Sequence, residues 1–549
     1  MKPQIRFTLF LFFVLSFQVV FAQINQKDLI GKADSLINTY GQVNAPGMAF
    51  AVIKDGKVIY KKTVGLANLE SRTPITDSTA FNIASVSKQF TAFLTLLAEK
   101  EGRLSLDDDI RTYLPELKGL SSRISIRQLA NHTNGFPNIS EIKKLQGYGD
   151  EFKLTNEEAV KTLLQIKNLN FTPGSQYQYN NTGFTLLAEI LHRVYKKDFG
   201  VLLNEYITGP LQMQNTMAVS NPDNIIPNKA ESYQQRGKTY FKLPIGQMVS
   251  GSSNIYTTLN DLCRWAVNFH DPKLGSRAIY NTMQKSTVLT SGKIIEYGLG
   301  LQTERYKGLG IIFHGGGTVG YRTYILHVPA QRFSIVMLGN KHGFEGLSIV
   351  YQLVDLFLEN QQIAVAKPRK IAYTPSELKD FEGVYKVNPG NYLEIAAKGK
   401  ELYVGTYSRK GKEQLQNVGD NKFNITSIPT AGFTFMGRTA ILRIADFSYT
   451  VEKIKDLPEE NKMALKKLTG FYRNEEFNTI YELLISNNKL IARHPLNGDI
   501  ELFPLKRMSF YSTTEYFGQI DFKYYKNNEV TEFMLSGANI LNIKFKKIK

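Results

Sequence analysis

Three short stretches hold residue types that together could attack a carbonyl carbon. Ser85-Val86-Ser87-Lys88 sets a hydroxyl and an amine three residues apart, which on a helix places them on one face. A lysine kept from water near a positive helix terminus gives up its proton readily and could then accept one from Ser85. Tyr179-Asn180-Asn181 follows Pro173-Gly174. A phenol there could pass a proton to a leaving group, and an amide two residues on could hold both the lysine and a substrate carbonyl. His314-Gly315-Gly316-Gly317-Thr318-Val319-Gly320-Tyr321 stands at the entrance to a strand. Its glycines would let a substrate lie on bare backbone whose N–H groups face a developing oxyanion. A phosphate cradle is the rival reading, but no G-K-[ST] follows and no G-x-G-x-x-G sits in a βαβ unit.

Each stretch is weak by itself. S-x-x-K occurs at Ser85, Ser140, Ser376 and Ser486, and Y-x-N recurs at Tyr472 and Tyr525. Position arbitrates, because only Ser85 lies at a strand-to-helix junction ahead of a strongly periodic helix. Ser85 as a plain helix cap beside a solvated lysine stands as the bland alternative. Other chemistries are disfavoured. G-x-S-x-G is absent, so the α/β-hydrolase elbow has no support. The single cysteine and the seven histidines, without HExxH, exclude a disulfide framework and argue against zinc. No metal or organic cofactor is expected. His132 reads as a loop-holding residue and Cys263 as packing, while Trp265 fits cleft or core equally.

The positioning elements follow from periodicity. Met48–Ile53 and Val58–Tyr60 are β-rich runs around Asp55-Gly56, a tight-hairpin signal. Phe90, Phe93, Leu94 and Leu97 predict a helix over 87–101, buried along one face and stopped by Gly102. Further helical spacing falls at 186–194, 259–269 and 349–357, and strand signals at 324–328 and 333–338. Strands at both ends with helices between predict an α/β (α+β) domain whose antiparallel sheet forms where the chain ends meet.

A boundary near 365 and a linker over 366–376 lead into short alternating strands. Leu378-Lys379-Asp380-Phe381-Glu382-Gly383-Val384-Tyr385 parallels Leu465-Lys466-Lys467-Leu468-Thr469-Gly470-Phe471-Tyr472. Two copies of a small all-β unit, 377–457 and 461–549, are expected, as half-open barrels or sandwiches packed on the first domain. Residues 1–22 read as a signal peptide: Lys2 and Arg6, an apolar run from Phe7, and Ala22 at the cleavage position. The expected mature domain is 23–365, in the periplasm or outside the cell, with no integral membrane segment left after cleavage. The formal net charge of +18 is spread along the chain rather than gathered in a stripe, so nucleic acid is not an expected partner. Clustering is confined to 544–549, read as a strand with outward lysines.

The three motifs, in this order and at these separations, resemble the β-lactamase-related serine hydrolases: class C β-lactamases, D-alanyl-D-alanine carboxypeptidases, D-aminopeptidases and related esterases. Gly65-Leu66-Ala67-Asn68, Tyr113-Leu114-Pro115-Glu116 and Leu129–Gly135 also match that family's habits, and the resemblance covers about residues 26–365. It implies a β-lactamase/transpeptidase-like fold, Ser85 as nucleophile, Lys88 as its base, Tyr179 as acid and base, and Asn181 as substrate orienter. His314, Gly316, Gly317 and Thr318 would border the substrate, with the N–H groups of Ser85 and Gly317 as oxyanion hole. Histidine at 314 departs from the lysine many members carry there, which weakens the case for efficient β-lactam hydrolysis. The C-terminal repeats look, more loosely, like lipocalin-like appendages of some members. The implied substrate is a small molecule or peptide, a D-amino-acid-containing cell-wall peptide first, then small esters, then β-lactams. A non-catalytic binder of cell-wall fragments is the competing class.

Overall fold

The computed structural model describes residues 27–548 apart from 150–151, 247, 345, 360–371, 408–410, 427, 445–446, 455–464, 507 and 525–528. The expected signal segment 1–22, the boundary at 365, the linker's 366–371 and Tyr525 lie outside the described residues.

Helix α1 (27–40) precedes the hairpin β1 (Met48–Lys54) and β2 (Lys57–Val64). Asp55 and Gly56, at φ 50° and 75°, supply the two left-handed residues that such a turn needs. Next come α2 (Ser87–Lys100), α3 (Thr182–Tyr195) and α4 (Leu259–His270), then β3 (Gln302–Tyr306), β4 (Leu309–Thr318), β5 (Tyr321–Val328), β6 (Phe333–Gly339) and α5 (Gly346–Phe357). The sheet runs β3-β4-β5-β6-β1-β2, every pair antiparallel. The register Met48↔Gly339 through Lys54↔Phe333 joins the two ends of the domain, so the sheet closes only after about 280 intervening residues are in place.

Alternation along β1 divides the core. Ala49, Ala51 and Ile53 face the helices, while Met48, Phe50 and Val52 face α1 and α5. Helix α2 departs from the one-sided burial expected of it: Ser87 through Leu96 and Ala98 are all buried. It is the central helix, with α3 and the segment Arg277–Gln284 packed on it. Trp265 belongs to this core and not to the cleft. It stacks on Phe90 at 4.5 Å, meets Phe93 edge-on at 5.3 Å, and donates its indole N–H to Gln89 Oε1. Cys263 is packed too, its thiol pushed up to about 12 by burial.

The C-terminal region is two eight-stranded antiparallel barrels, Gly383–Asn388 to Phe447–Lys453 and Gly470–Asn474 to Ile543–Lys547. Both are closed, which corrects the half-open form expected from sequence: first and last strands pair through Tyr385↔Lys453 and Tyr472↔Lys547. Closure removes the unpaired edges that an open sheet would expose. The repeat is visible in detail. Gly383 and Gly470 sit at φ 145° and 133°, and Tyr385 and Tyr472, two residues on, donate their phenols to the carbonyls of Phe381 and Leu468. Lys544 and Lys546 point outward on the last strand, alternating with buried Ile543 and Phe545. The second barrel docks on the first domain, where the Tyr481 phenol donates to Leu145 O and Asn539 O accepts from Asn138 N–H.

Replacing Trp265 by alanine removes the largest side chain of the α2 core and is expected to cost about 3–5 kcal/mol. Differential scanning calorimetry will show the first domain's transition moved down by several degrees, with the barrel transitions in place.

Candidate active site

Ser85 sits in a single 3-10 turn, Ala84–Val86, that links the short strand Phe81–Asn82 to α2. The turn is held in a costly conformation, since Ala84 has φ 45°, a region that side-chain-bearing residues seldom occupy. Asn82 compensates: its Oδ1 accepts from Ala84 N–H at 2.8 Å, and its Nδ2 donates to Asn254 Oδ1. From the other side β4 presses in. A Cβ on Gly316 would lie 2.3 Å from Ile83 O, so no other residue allows the strand this close to the serine turn. The glycine run thus has a steric cause visible only in the fold.

Lys88, one turn along α2, is fully buried. Its Nζ lies 3.1 Å from Ser85 Oγ, 2.8 Å from Asn181 Oδ1 and 2.9 Å from Ser252 O. The last two are acceptors only. A neutral amine meets all three contacts by giving two N–H groups to Asn181 and Ser252 and turning its lone pair to the Ser85 hydroxyl. Burial drives the Lys88 pKa well below the usual lysine value, and among the described residues no carboxylate hydrogen-bonds to it. Asn181 is placed at the start of α3, where its N–H donates to Asn138 Oδ1. The Ser252 carbonyl is placed by Gly251, at φ 81°, whose own carbonyl accepts from Thr91 Oγ1 on α2.

Tyr179 is half-buried against the same amine, with Lys88 Nζ 5.0 Å from its ring centre. Burial pushes its phenol above the ordinary value, and a hydrogen bond with Ser85 pulls partly the other way. The phenol therefore carries its proton at neutral pH. Ser85, Tyr179, Asn181, His314, Gly316, Gly317 and Thr318 border one cavity of about 710 Å³, and a neighbouring lobe of about 280 Å³ shares Ser85, Asn181, Gly317 and Thr318. Of the four S-x-x-K serines only Ser85 has its lysine within hydrogen-bond reach among the described residues; Ser140 borders the smaller lobe, Ser376 lies in the short helix Pro375–Lys379, and Ser486 ends a barrel strand. Tyr472 is barrel core.

His314 borders the cavity with its ring, but both nitrogens are engaged inside the protein. Gly315 O can only accept, so His314 Nδ1 at 2.6 Å carries the proton and Nε2 is bare. Tyr297 must then donate to Nε2 at 3.0 Å and accept from His132 Nε2–H at 3.1 Å, which leaves His132 Nδ1 to accept from Asn180 N–H at 3.3 Å. Every tautomer in this buried chain is determined by its ends. Burial holds His314 down at about 3 and His132 well below the usual histidine value. His314 is thus a neutral support rather than a cation. His132 proves to be a holder of the site, joining Tyr297 to the segment that carries Tyr179, with ring centres 4.2 Å apart from Tyr179.

Sequence reasoning passed over Tyr297, Ser252, Asn82 and Asn138. Tyr297 lies among glycines, Tyr297-Gly298-Leu299-Gly300, a faint cue to a tight approach. Ser252 acts through its carbonyl, which any residue has, so no side-chain signal marks it.

The fold and this constellation are those of a serine hydrolase. The chain belongs to the β-lactamase family, whose model matches residues 33–355. A D-aminopeptidase of Gluconobacter oxydans (strain 621H) is 29% identical over 296 residues, 54% of this chain and 56% of that protein, so the match spans little more than half of that relative. A D-aminopeptidase of Brucella anthropi is 27% identical over 485 residues, 84% of this chain and 88% of that protein. Among solved structures, the octameric penicillin-binding protein homologue from Pyrococcus abyssi superposes with a TM-score of 0.56 at 24% identity, covering 77% of this chain and all of that one. That likeness is one of fold.

Tyr297→Phe leaves His132 Nε2–H and His314 Nε2 buried without partners and is expected to destabilise the first domain by about 1–3 kcal/mol. Histidine ring 15N shifts, assigned by comparison with His132→Gln, will show both tautomers freed from their present assignment.

Proposed function

We propose that this chain is an exported serine hydrolase that works through an acyl-enzyme on amide, peptide or ester carbonyls, with D-amino-acid-containing peptides as the first substrate class and small esters next. The observation that carries the reading is the placement of the buried Lys88 amine between Ser85 Oγ and Asn181 Oδ1. In this reading the Ser85 proton moves to the Lys88 lone pair while Oγ bonds to the carbonyl carbon. The carbonyl oxygen takes the charge and lies against the N–H groups of Ser85 and Gly317, and Asn181 orients the substrate. Tyr179, still protonated, gives its proton to the departing nitrogen or oxygen, and as phenolate it draws a proton from the water that frees the acyl group, while Lys88 returns its proton to the departing Ser85 Oγ. The D-aminopeptidase relatives support the substrate class. The neutral ring at 314 supports the placing of β-lactams last. Export rests on the charged, apolar and small-residue pattern of 1–22. A cell-wall peptide as partner fits that location.

Incubation with a fluorophosphonate will add the probe's phosphonyl group to Ser85, seen by mass spectrometry, and Ser85→Ala will take no label. Lys88→Met will slow labelling by about 10²–10⁴-fold. No adduct, and no turnover across a panel of D-peptides and esters, would leave a binding protein in place of an enzyme.

The labelling rate will also report Lys88 directly. Protonation removes the lone pair, so the rate falls as pH drops through the depressed lysine pKa and stays level above it, short of the usual lysine range. His314 stays neutral down to about 3, but Glu141 is raised to about 7 by burial, so the limb is assigned to the amine by its loss from the residual rate of Lys88→Met.

A further inference from the structure

Beside the smaller lobe, a line of side chains joins the second barrel to the buried lysine. Asn138 and Asn181 each stand at the start of a helix, where an asparagine ordinarily caps its own backbone, and neither side chain does so. Asn181 gives its Oδ1 to Lys88 Nζ at 2.8 Å, and Asn138 gives its Oδ1 to the Asn181 N–H at 3.1 Å. With that oxygen engaged, the NH2 end of the Asn138 amide is left for Glu141, whose charged form it favours. Asn539, in the second barrel, closes the line. Its Nδ2 donates to Glu141 Oε1 at 3.1 Å, and its carbonyl accepts from Asn138 N–H at 3.0 Å.

Glu141 is 9% exposed, its Oε2 has no hydrogen-bond partner, and it does not border either lobe of the cleft. A carboxyl buried this far is costly to hold in its charged form. What that charge supplies is orientation. We infer that Glu141 is a positioning residue for the hydrolytic site: its carboxylate holds the Asn138 amide in the orientation that fixes Asn181, and Asn539 of the second barrel holds the carboxylate. The inference rests on the hydrolase reading above and adds to it a residue that touches neither substrate nor Lys88.

The chemistry of the two protonation states gives the effect its sign. An ionised carboxylate only accepts, so the amide that faces it must present NH2 and keep Oδ1 for the Asn181 N–H. A protonated carboxyl also donates. It tolerates the amide turned over, with NH2 against the Asn181 N–H, and the hold on Asn181 is lost. Burial raises Glu141 to about 7, against Asn539, Asn138 and Lys144, which lower it, while Glu515 on the barrel turn Glu515–Phe517 adds to the rise. Lys144 and Glu515 are the charged side chains that act on it among the described residues; Lys143, on the same short helix Ile139–Leu145, lies over the Tyr148 ring instead. Both forms are therefore populated near neutrality, and acid favours the one that leaves Asn138 free to turn.

Fluorophosphonate labelling of Ser85 in the full chain tests this, as the ratio of the unaltered chain's rate to that of Glu141→Gln across neutral pH. Glutamine presents an NH2 at every pH and stands in for the protonated acid, and the Lys88 titration, common to both chains, cancels in the ratio. The ratio is expected to be about ten- to a hundredfold on the alkaline side of 7 and to fall toward one on the acid side. A purely structural role would instead give a ratio that does not change with pH. Asn138→Ala, which cuts the line with Glu141 in place, is expected to give the same pH-dependent ratio and decides the matter if glutamine disturbs the fold. A ratio of one throughout, or one that is constant with pH, would overturn the role of Glu141 while labelling itself leaves the hydrolase reading intact. No labelling of the unaltered chain would overturn the hydrolase reading and this inference with it.

Discussion

Everything at this site depends on keeping one amine out of water. Among the described residues Lys88 meets only neutral partners, the Ser85 hydroxyl, Asn181 Oδ1 and Ser252 O. A full positive charge held there would forgo hydration worth several kcal/mol with no carboxylate to offset it. The uncharged amine is the form this pocket accommodates, and it is also the form with a lone pair to aim at the serine. Burial and reactivity are one constraint here. The packing of α2 on nearly every side, and the Trp265, Phe90 and Phe93 cluster behind it, keep that pocket dry.

The same logic runs through the neighbouring histidines. Burial disfavours a positive charge on either ring, so His132 and His314 are used as neutral rings with assigned tautomers. The chain Asn180, His132, Tyr297, His314, Gly315 links the segment carrying Tyr179 to the strand carrying the glycine run. It ties two walls of the cleft by hydrogen bonds that carry no net charge.

The second barrel reaches toward the site through Asn539. Its carbonyl accepts from Asn138 N–H and its amide donates to Glu141 Oε1, while Asn138 Oδ1 holds the N–H of Asn181. Glu141, raised to about 7 by burial, lies in that seam. The second barrel is thus in hydrogen-bonded contact, through Asn138, with the shell around the substrate-orienting amide.

Much of this was readable in the chain. The Asp55-Gly56 hairpin, the helix after Ser85, the strands at 324–328 and 333–338, and the doubled Gly-x-Tyr of the barrels are local patterns, and local sterics and periodicity dictate them whatever surrounds them. The serine and lysine on one face follow from helix geometry alone. Other features have no local signature. Barrel closure depends on strands some 70 residues apart meeting in register. The carbonyl of Ser252 and the left-handed Ala84 act through backbone that any sequence possesses. Whether Trp265 lines a cleft or fills a core depends on which helices pack around it, and the charge of His314 depends on burial and on Tyr297 reaching it from another strand. Side-chain type and short-range spacing determined which groups were available. Desolvation, close approach and pairing across long separations, which exist only once the chain is folded, decided which of them share one cleft and in what protonation state.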